Sequence, residues 1–145
     1  MMPLVTRDHP KLTLEGARAV LGAAEKKAQE IQCPMNIAIV DDGGHLLAFV
    51  RMDGAKISSV RIALLKARSA AVRRAPTRAV MKDDQANVLL TLGLAVGNPT
   101  EHTPIRGGIP LLVDEQVVGA IGVSAGSEDQ DVEVALAGAA ALEKA

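Results

Sequence analysis

The stretch that most constrains the fold is Gly107–Asp131, GGIPLLVDEQVVGAIGVSAGSEDQD. Two short apolar runs, Ile109–Val113 and Val117–Val123, flank the polar Asp114-Glu115-Gln116. β-Branched runs of this length, bounded by turn formers, predict a pair of strands joined as a hairpin. Val117, Val118, Ala120, Ile121 and Val123 put apolar side chains on both faces, which suits a central strand covered on each side. Gly119 and Gly122 have nothing to pack with, so a neighbouring element must approach the backbone there. Ser127 and Gln130 have the spacing of a capping box and open a final helix. Glu115-Gln116 is not the Asn-Gly or Asp-Gly pair of a two-residue turn, which points to a longer one.

The rest of the chain supplies partners for this hairpin. Thr13 caps a first helix that runs to about Gln32, where Cys33-Pro34 stops it. Met35–Val40 and His45–Arg51 are strands around the turn Asp41-Asp42-Gly43-Gly44, a second antiparallel hairpin. Ser58 or Ser59 caps a helix through about Arg74, with Val60, Ala63, Leu64, Ala67 and Ala71 on one stripe. Thr77–Lys82 has no clear period and reads as a short turn of helix. Asp83 or Asp84 starts a further helix to about Val96, stopped by Gly97-Asn98-Pro99. Thr100–Gly108 is a polar loop. The last helix is apolar nearly all round and prefers burial, inside the fold or against another subunit. The order of elements lacks strand–helix alternation, so the expectation is α+β with an antiparallel sheet, in a single domain over residues 1–145.

Composition narrows the function. With one Phe and neither Tyr nor Trp, the core must be built from Val, Ile, Leu, Ala and Met. The missing aromatics argue against single-strand recognition by base stacking, and a formal net charge of -1 gives no general attraction to nucleic acid or a membrane surface. The single cysteine, Cys33, excludes an internal disulfide and a Cys-rich zinc site. Met1–Pro10 lacks the basic start and apolar run of a secretion signal, and no stretch approaches the roughly 18 apolar residues that span a bilayer. A soluble, cytoplasmic protein is expected.

Two regions carry chemistry. From Arg51 to Lys82 there are nine basic residues against Asp53 alone, either a solvated helix face or the rim of a pocket that attracts carboxylates. Within it Arg51 ends a strand beside a tight turn, and Lys66 sits on a largely apolar helix where burial could lower its pKa and make it a base. The loop Glu101-His102-Thr103-Pro104-Ile105-Arg106-Gly107-Gly108 brings a carboxylate, an imidazole, a hydroxyl and a guanidinium within a few residues. Gly107-Gly108 can leave backbone amides open to an anion. His102 is the first choice for proton transfer or for a metal or haem ligand.

Several segments together resemble a known family. VDDGGHLLAFVRMDGA at Val40–Ala55, KARSA at Lys66–Ala70, GGIP at Gly107–Pro110, and VGAIGVSAG with EDQD within Val118–Asp131 are similar to the GlcG/HbpS family, which includes the C-terminal domain of PduO-type proteins. The resemblance runs from about Leu12 onward. It implies a profilin-like α+β fold, a five-stranded antiparallel sheet with helices on both faces. It also implies association into dimers or larger assemblies and binding of haem or a corrinoid. Some PduO-type domains use a first-helix histidine as haem ligand; this first helix has none, and His102 and Thr103 are the substitutes.

The expected function is binding of a haem, another tetrapyrrole or a small anionic ligand in a basic-rimmed pocket of a homo-oligomer. Arg51, Lys66, Thr103, Arg106, Gly107 and Gly108 would hold the ligand, and His102 would ligate metal. One alternative is a cofactor-independent tautomerase, isomerase or hydratase of a small organic acid, with His102, Glu101 and Lys66 moving protons. The other is a structural or assembly domain without catalysis.

Overall fold

The computed structural model describes residues 2–144. The elements follow as α1 (Leu14–Glu30), β1 (Asn36–Asp41), β2 (Leu46–Arg51), α2 (Val60–Arg73), β3 (Met81–Lys82), β4 (Gln85–Ala86), α3 (Val88–Gly97), β5 (Gly108–Val113), β6 (Gln116–Ser124) and α4 (Glu128–Ala140). Single 3-10 turns, Ile57–Ser59 and Leu142–Lys144, precede α2 and follow α4. The main sheet is antiparallel throughout, in the order β2-β1-β6-β5. The class is α+β, as expected. The sheet, however, has four strands among the described residues rather than five. β3 and β4 pair only with each other, two residues each, and form a separate hairpin.

That small hairpin explains two departures from the sequence reading. Asp83 and Asp84 do not open a helix. Both adopt left-handed φ, 52° and 62°, as the central pair of a tight hairpin turn does. The cap of α3 falls instead to Asn87, whose side chain accepts from the Leu90 N–H at 3.1 Å. A similar turn joins β5 to β6. Asp114 and Glu115 take φ of 50° and 65°, so the connection is two residues, not longer, despite lacking glycine. Pairing across a fully buried strand sets the register, and the turn accepts the strain.

β6 is the central strand. Val118–Ser124 is buried, with β1 on one side and β5 on the other. On one face Ile37, Ile39, Ile121 and Val123 meet α1 and α4 through Val20, Ala24, Val134 and Ala135. On the other Ala38, Val40 and Ala120 meet Ala63, Ala67, Ala70 and Ala71 of α2. This second layer is thin because its side chains are small. At Gly122 the strand touches the helix backbone: a Cβ there would lie 2.1 Å from the Ala63 carbonyl oxygen and 2.4 Å from the Ala67 nitrogen. The caps at Thr13 and Ser127 form as expected, the latter as a complete box with Gln130. Val134 and Ala135 of α4 are buried in the fold, which answers most of that helix's demand for cover, while Leu136 remains exposed.

Candidate functional site

α2 organises the chemistry because three of its polar side chains leave it in different directions. Lys66 goes inward. It is 1% exposed, and its Nζ donates to Asp131 Oδ2 and to the Val123 carbonyl, each at 2.8 Å. α2 and α4 lie on opposite faces of the sheet, so this ion pair reaches round the end of β5–β6 and joins the two helical layers. Asp131 Oδ1 also accepts from the Gly126 N–H at 3.0 Å. Burial pushes the Asp131 carboxyl above its ordinary range, opposed by the Lys66 hydrogen bond and charge.

The glycine pair exists to let this happen. A Cβ on Gly107, whose φ is +126°, would lie 2.6 Å from the Val123 oxygen and 2.9 Å from Lys66 Nζ. One on Gly108 would meet the Lys66 carbonyl oxygen at 2.3 Å. The Gly108 N–H donates to Thr77 Oγ1 at 2.9 Å. These residues admit a neighbouring backbone and an ammonium, and the Gly108 amide is already engaged.

Arg68 and Arg73 go outward, toward the segment that leads out of α3. Arg61, Ile62, Leu64, Leu65 and Arg68 of α2, with Pro99 and Thr100, line a largely apolar groove of about 430 Å³. Arg68 Nη2 stands 3.6 Å from Glu101 Oε1, while its Nε is buried with no hydrogen-bond partner among the described residues. A donor withdrawn from water and left unpaired costs free energy, about 1–3 kcal/mol for a neutral group and more for a charged one. Such a site gains when an anion arrives. Arg61 and Arg68 are seven residues apart, two helical turns on one face, with Leu64 and Leu65 between them.

A second, smaller cleft of about 190 Å³ lies on the other side of Glu101, lined by Val72, Arg73, Leu94, Asn98, Glu101 and His102. His102 is buried, with Nε2 3.2 Å from Arg73 Nη1. A guanidinium only donates, so Nε2 accepts and the imidazole proton resides on Nδ1. Burial, with the Arg73 charge next to it, holds the imidazole pKa below its ordinary value, so the ring is neutral near pH 7. Thr103 ties the loop to α2: its N–H donates to Ser69 Oγ at 3.2 Å and its Oγ1 accepts from the Ile105 N–H at 3.2 Å.

The sequence-derived candidates therefore divide. Glu101 and His102 come together, with Thr103 behind them. Arg51, Lys66 and Arg106 do not join them. Arg51 ends the edge strand β2 and lines a separate depression with Asp53 and Ile57. Lys66 is sealed in the ion pair. Arg106 is half exposed and donates to Asp129 Oδ1 at 2.8 Å. Sequence reading saw Arg61, Arg68 and Arg73 only as part of a basic run. The spacing 61, 64, 65, 68 on one helix face was the signal that could have singled out two of them.

Comparison with known proteins adds the family. The model for "Haem degrading protein HbpS-like" matches residues 12–140. The chain belongs to the HbpS-like family. Among HbpS-like relatives, protein GlcG of Escherichia coli K12 is 38% identical over 115 residues, covering 78% of this chain and 81% of GlcG. The crystal structure of Klebsiella pneumoniae protein ORFY superposes with a TM-score of 0.86 at 33% identity, covering 100% of this chain and 99% of ORFY. The crystal structure of a PduOC:haem complex superposes with a TM-score of 0.79 at 27% identity, covering 91% of this chain and 95% of that one. Among the described residues no helix is long and apolar enough to cross a membrane, and no cluster of three His, Cys, Asp or Glu side chains is placed to hold a metal ion.

Proposed function

We propose that this HbpS-like protein binds an amphipathic anion, a haem or a related tetrapyrrole, in the groove between α2 and Pro99-Thr100. The observation that carries the reading is the buried, unpartnered Nε of Arg68 beside an apolar floor. A porphyrin has that chemistry, an apolar ring with carboxylates at its margin. The residues fit the group in kind. Arg61 and Arg68 would hold carboxylates by charge-assisted hydrogen bonds, and Ile62, Leu64 and Leu65 would pack on the ring. His102, neutral and with its Nε2 engaged by Arg73, lines the neighbouring cleft rather than this groove, so it stands apart from the bound ring. When bound, haem supplies a redox-active iron. The chain's part is to bind it, orient it and limit access of water. The likeness to a haem-bound PduOC structure and the description of the family model support the same reading. Assembly of several copies belongs to this proposal as well.

Titration of the apo-protein with haem, followed by the Soret band, tests it. Saturable binding at micromolar affinity or better is expected, weakened about tenfold or more in Arg68→Ala, since one charge-assisted hydrogen bond is worth about 1.5–3 kcal/mol. An unchanged Soret position is expected in His102→Ala, since that side chain lines the neighbouring cleft. Absence of saturable binding would overturn the reading.

One observation favours a cofactor-free enzyme as the second reading. A neutral imidazole, a carboxylate and a guanidinium share the 190 Å³ cleft, enough to move a proton on a small organic acid. Turnover of keto or enol acids, abolished in His102→Ala and without added haem, would select it.

A further inference from the structure

The end of α2 carries a second group of cations that the groove does not use. Between Arg73 and Met81 the chain turns round a cleft of about 210 Å³, with Arg73 and Arg78 on its wall and Ala75, Pro76, Val80 and Met81 as apolar lining. No carboxylate lines it. Arg68 and Arg106 each face an acid, whereas Arg73 and Arg78 have none at ion-pair distance among the described residues. Arg73 is held instead by a neutral group, since its Nη1 donates to His102 Nε2 at 3.2 Å. A guanidinium fixed by a neutral acceptor loses freedom but keeps its full charge. Backbone accounting gives a second, independent sign. Along the turn the amide of Ala75 donates to the Ala70 carbonyl, that of Thr77 to the Gly108 carbonyl and that of Val80 to Thr91 Oγ1. Pro76 has no N–H, and those of Arg78 and Ala79 have no acceptor among the described residues. The turn is nevertheless anchored. Thr77 is buried and its Oγ1 accepts from the Gly108 N–H at 2.9 Å, so amide and hydroxyl both tie it to β5.

We propose that this cleft binds a small phosphoryl dianion, inorganic phosphate or the phosphate group of a short phosphomonoester, between Arg73 and Arg78. Size selects a small occupant: drug-sized ligands fill pockets of roughly 300–1,000 Å³, and this cleft is about half the volume of the α2 groove. Charge selects a dianion. A phosphoryl group carries about −1.5 to −2 near pH 7 and three strong acceptor oxygens, enough to engage two guanidinium forks and a backbone amide together. A monocarboxylate would satisfy one arginine and leave the other without a counter-charge. The C-terminal end of α2 opposes any anion with roughly half a negative charge, and two guanidiniums outweigh it where one would do so only narrowly. The apolar lining beside them fits a short carbon skeleton better than bulk water. Neither Arg73 nor Arg78 lines the groove between α2 and Pro99-Thr100, so this site goes beyond the haem reading and does not rest on it.

Isothermal titration of the full chain with inorganic phosphate at about pH 8, with chloride holding the ionic strength, is the test. Saturable binding with a Kd of about 1 mM or tighter is expected. Arg78→Gln should weaken it about tenfold or more, and Arg78→Lys, which keeps the charge without the fork, by less. Arg51→Gln removes the same charge at a separate depression and should bind like the parent. Arg51 and Arg78 are both exposed, so thermal unfolding midpoints should stay at the parent's value and separate lost binding from lost fold. Methyl phosphate tells the two sources apart: binding equal to that of phosphate assigns the monoester and its exclusion the free ion, each in support. No saturable binding, acetate bound as tightly as phosphate, or equal losses in Arg78→Gln and Arg51→Gln would overturn the proposal. Haem enters none of these outcomes, so failure of the haem reading would leave them intact.

Discussion

α2 and α3 are neighbouring helices with opposite relations between composition and burial. α2 carries four basic residues and a run of alanines, yet it covers a whole face of the sheet. α3 is almost pure Leu, Val, Ala and Gly, yet it lies outside both buried clusters. The difference is one of fit rather than hydrophobicity. Alanine lets α2 approach β6 until its backbone touches Gly122, and Lys66 is neutralised by Asp131 at the edge of that contact. The sheet has two faces, and α2 together with the α1–α4 pair already fills them. α3 is apolar without a face to occupy.

Breaking the α2 anchor should give the largest effect. Asp131→Asn leaves the Lys66 ammonium buried and unpaired, which costs about 3–5 kcal/mol in urea unfolding. Lys66→Met with Asp131→Leu should recover most of that loss, because the charge leaves with its partner. A loss under about 1 kcal/mol in the single variant would mean that water reaches the pair.

The same substitution made under each helix should have opposite signs. Gly122→Ala drives a methyl group into the backbone of α2 and should destabilise by about 3 kcal/mol or more. Gly93→Ala meets nothing and should stabilise the monomer by up to about 1 kcal/mol through helix propensity. Equal signs in thermal unfolding would erase the distinction drawn between the two helices.

His102, held between α2 and α3, makes their contact sensitive to pH. Its folded pKa lies below the unfolded value of about 6.5, so in acid the unfolded chain binds the proton that the folded chain resists. Stability contributed by the neutral ring is present above that value and declines as pH falls below it. The urea midpoint should therefore drop faster between pH 7 and 5 in the parent than in His102→Gln.

The smallest effect belongs to the exposed ion pair. Arg106→Ala removes a 2.8 Å contact with Asp129, but both side chains are in water, and the loss should stay below about 1 kcal/mol. Set against Asp131→Asn, it measures how far burial, at equal distance, decides the worth of an ion pair.

Legibility in the sequence follows the range of the interactions. The hairpin Gly107–Ser124, the caps at Thr13 and Ser127 and the turn after β1 were readable because each is written within a few residues. The need for close approach at Gly122 was readable too, although not which helix would come. The cluster Glu101-His102-Thr103 was legible as a loop rich in functional groups, and the fold places it beside α2. Its partners Arg68 and Arg73, however, lie some thirty residues away along the chain. Lys66 could be suspected of being buried, but the carboxylate that answers it is 65 residues on, and no periodicity connects them. The turn Asp83-Asp84 was misread because aspartate caps helices and bends hairpins equally well, and only strand pairing on either side decides between them.

By itself, then, the sequence determined the α+β class, the central strand and its glycines, the helix starts with ordinary caps, and the likeness to the HbpS family. These rest on local backbone preferences and the alternation of apolar side chains. Tertiary structure alone decided that Lys66 clips two layers together and that Arg68 is left with a buried unpaired donor. It also decided that the most apolar helix is the one left uncovered. Each of those depends on which surfaces compete for a limited sheet, a quantity that no window along the chain contains.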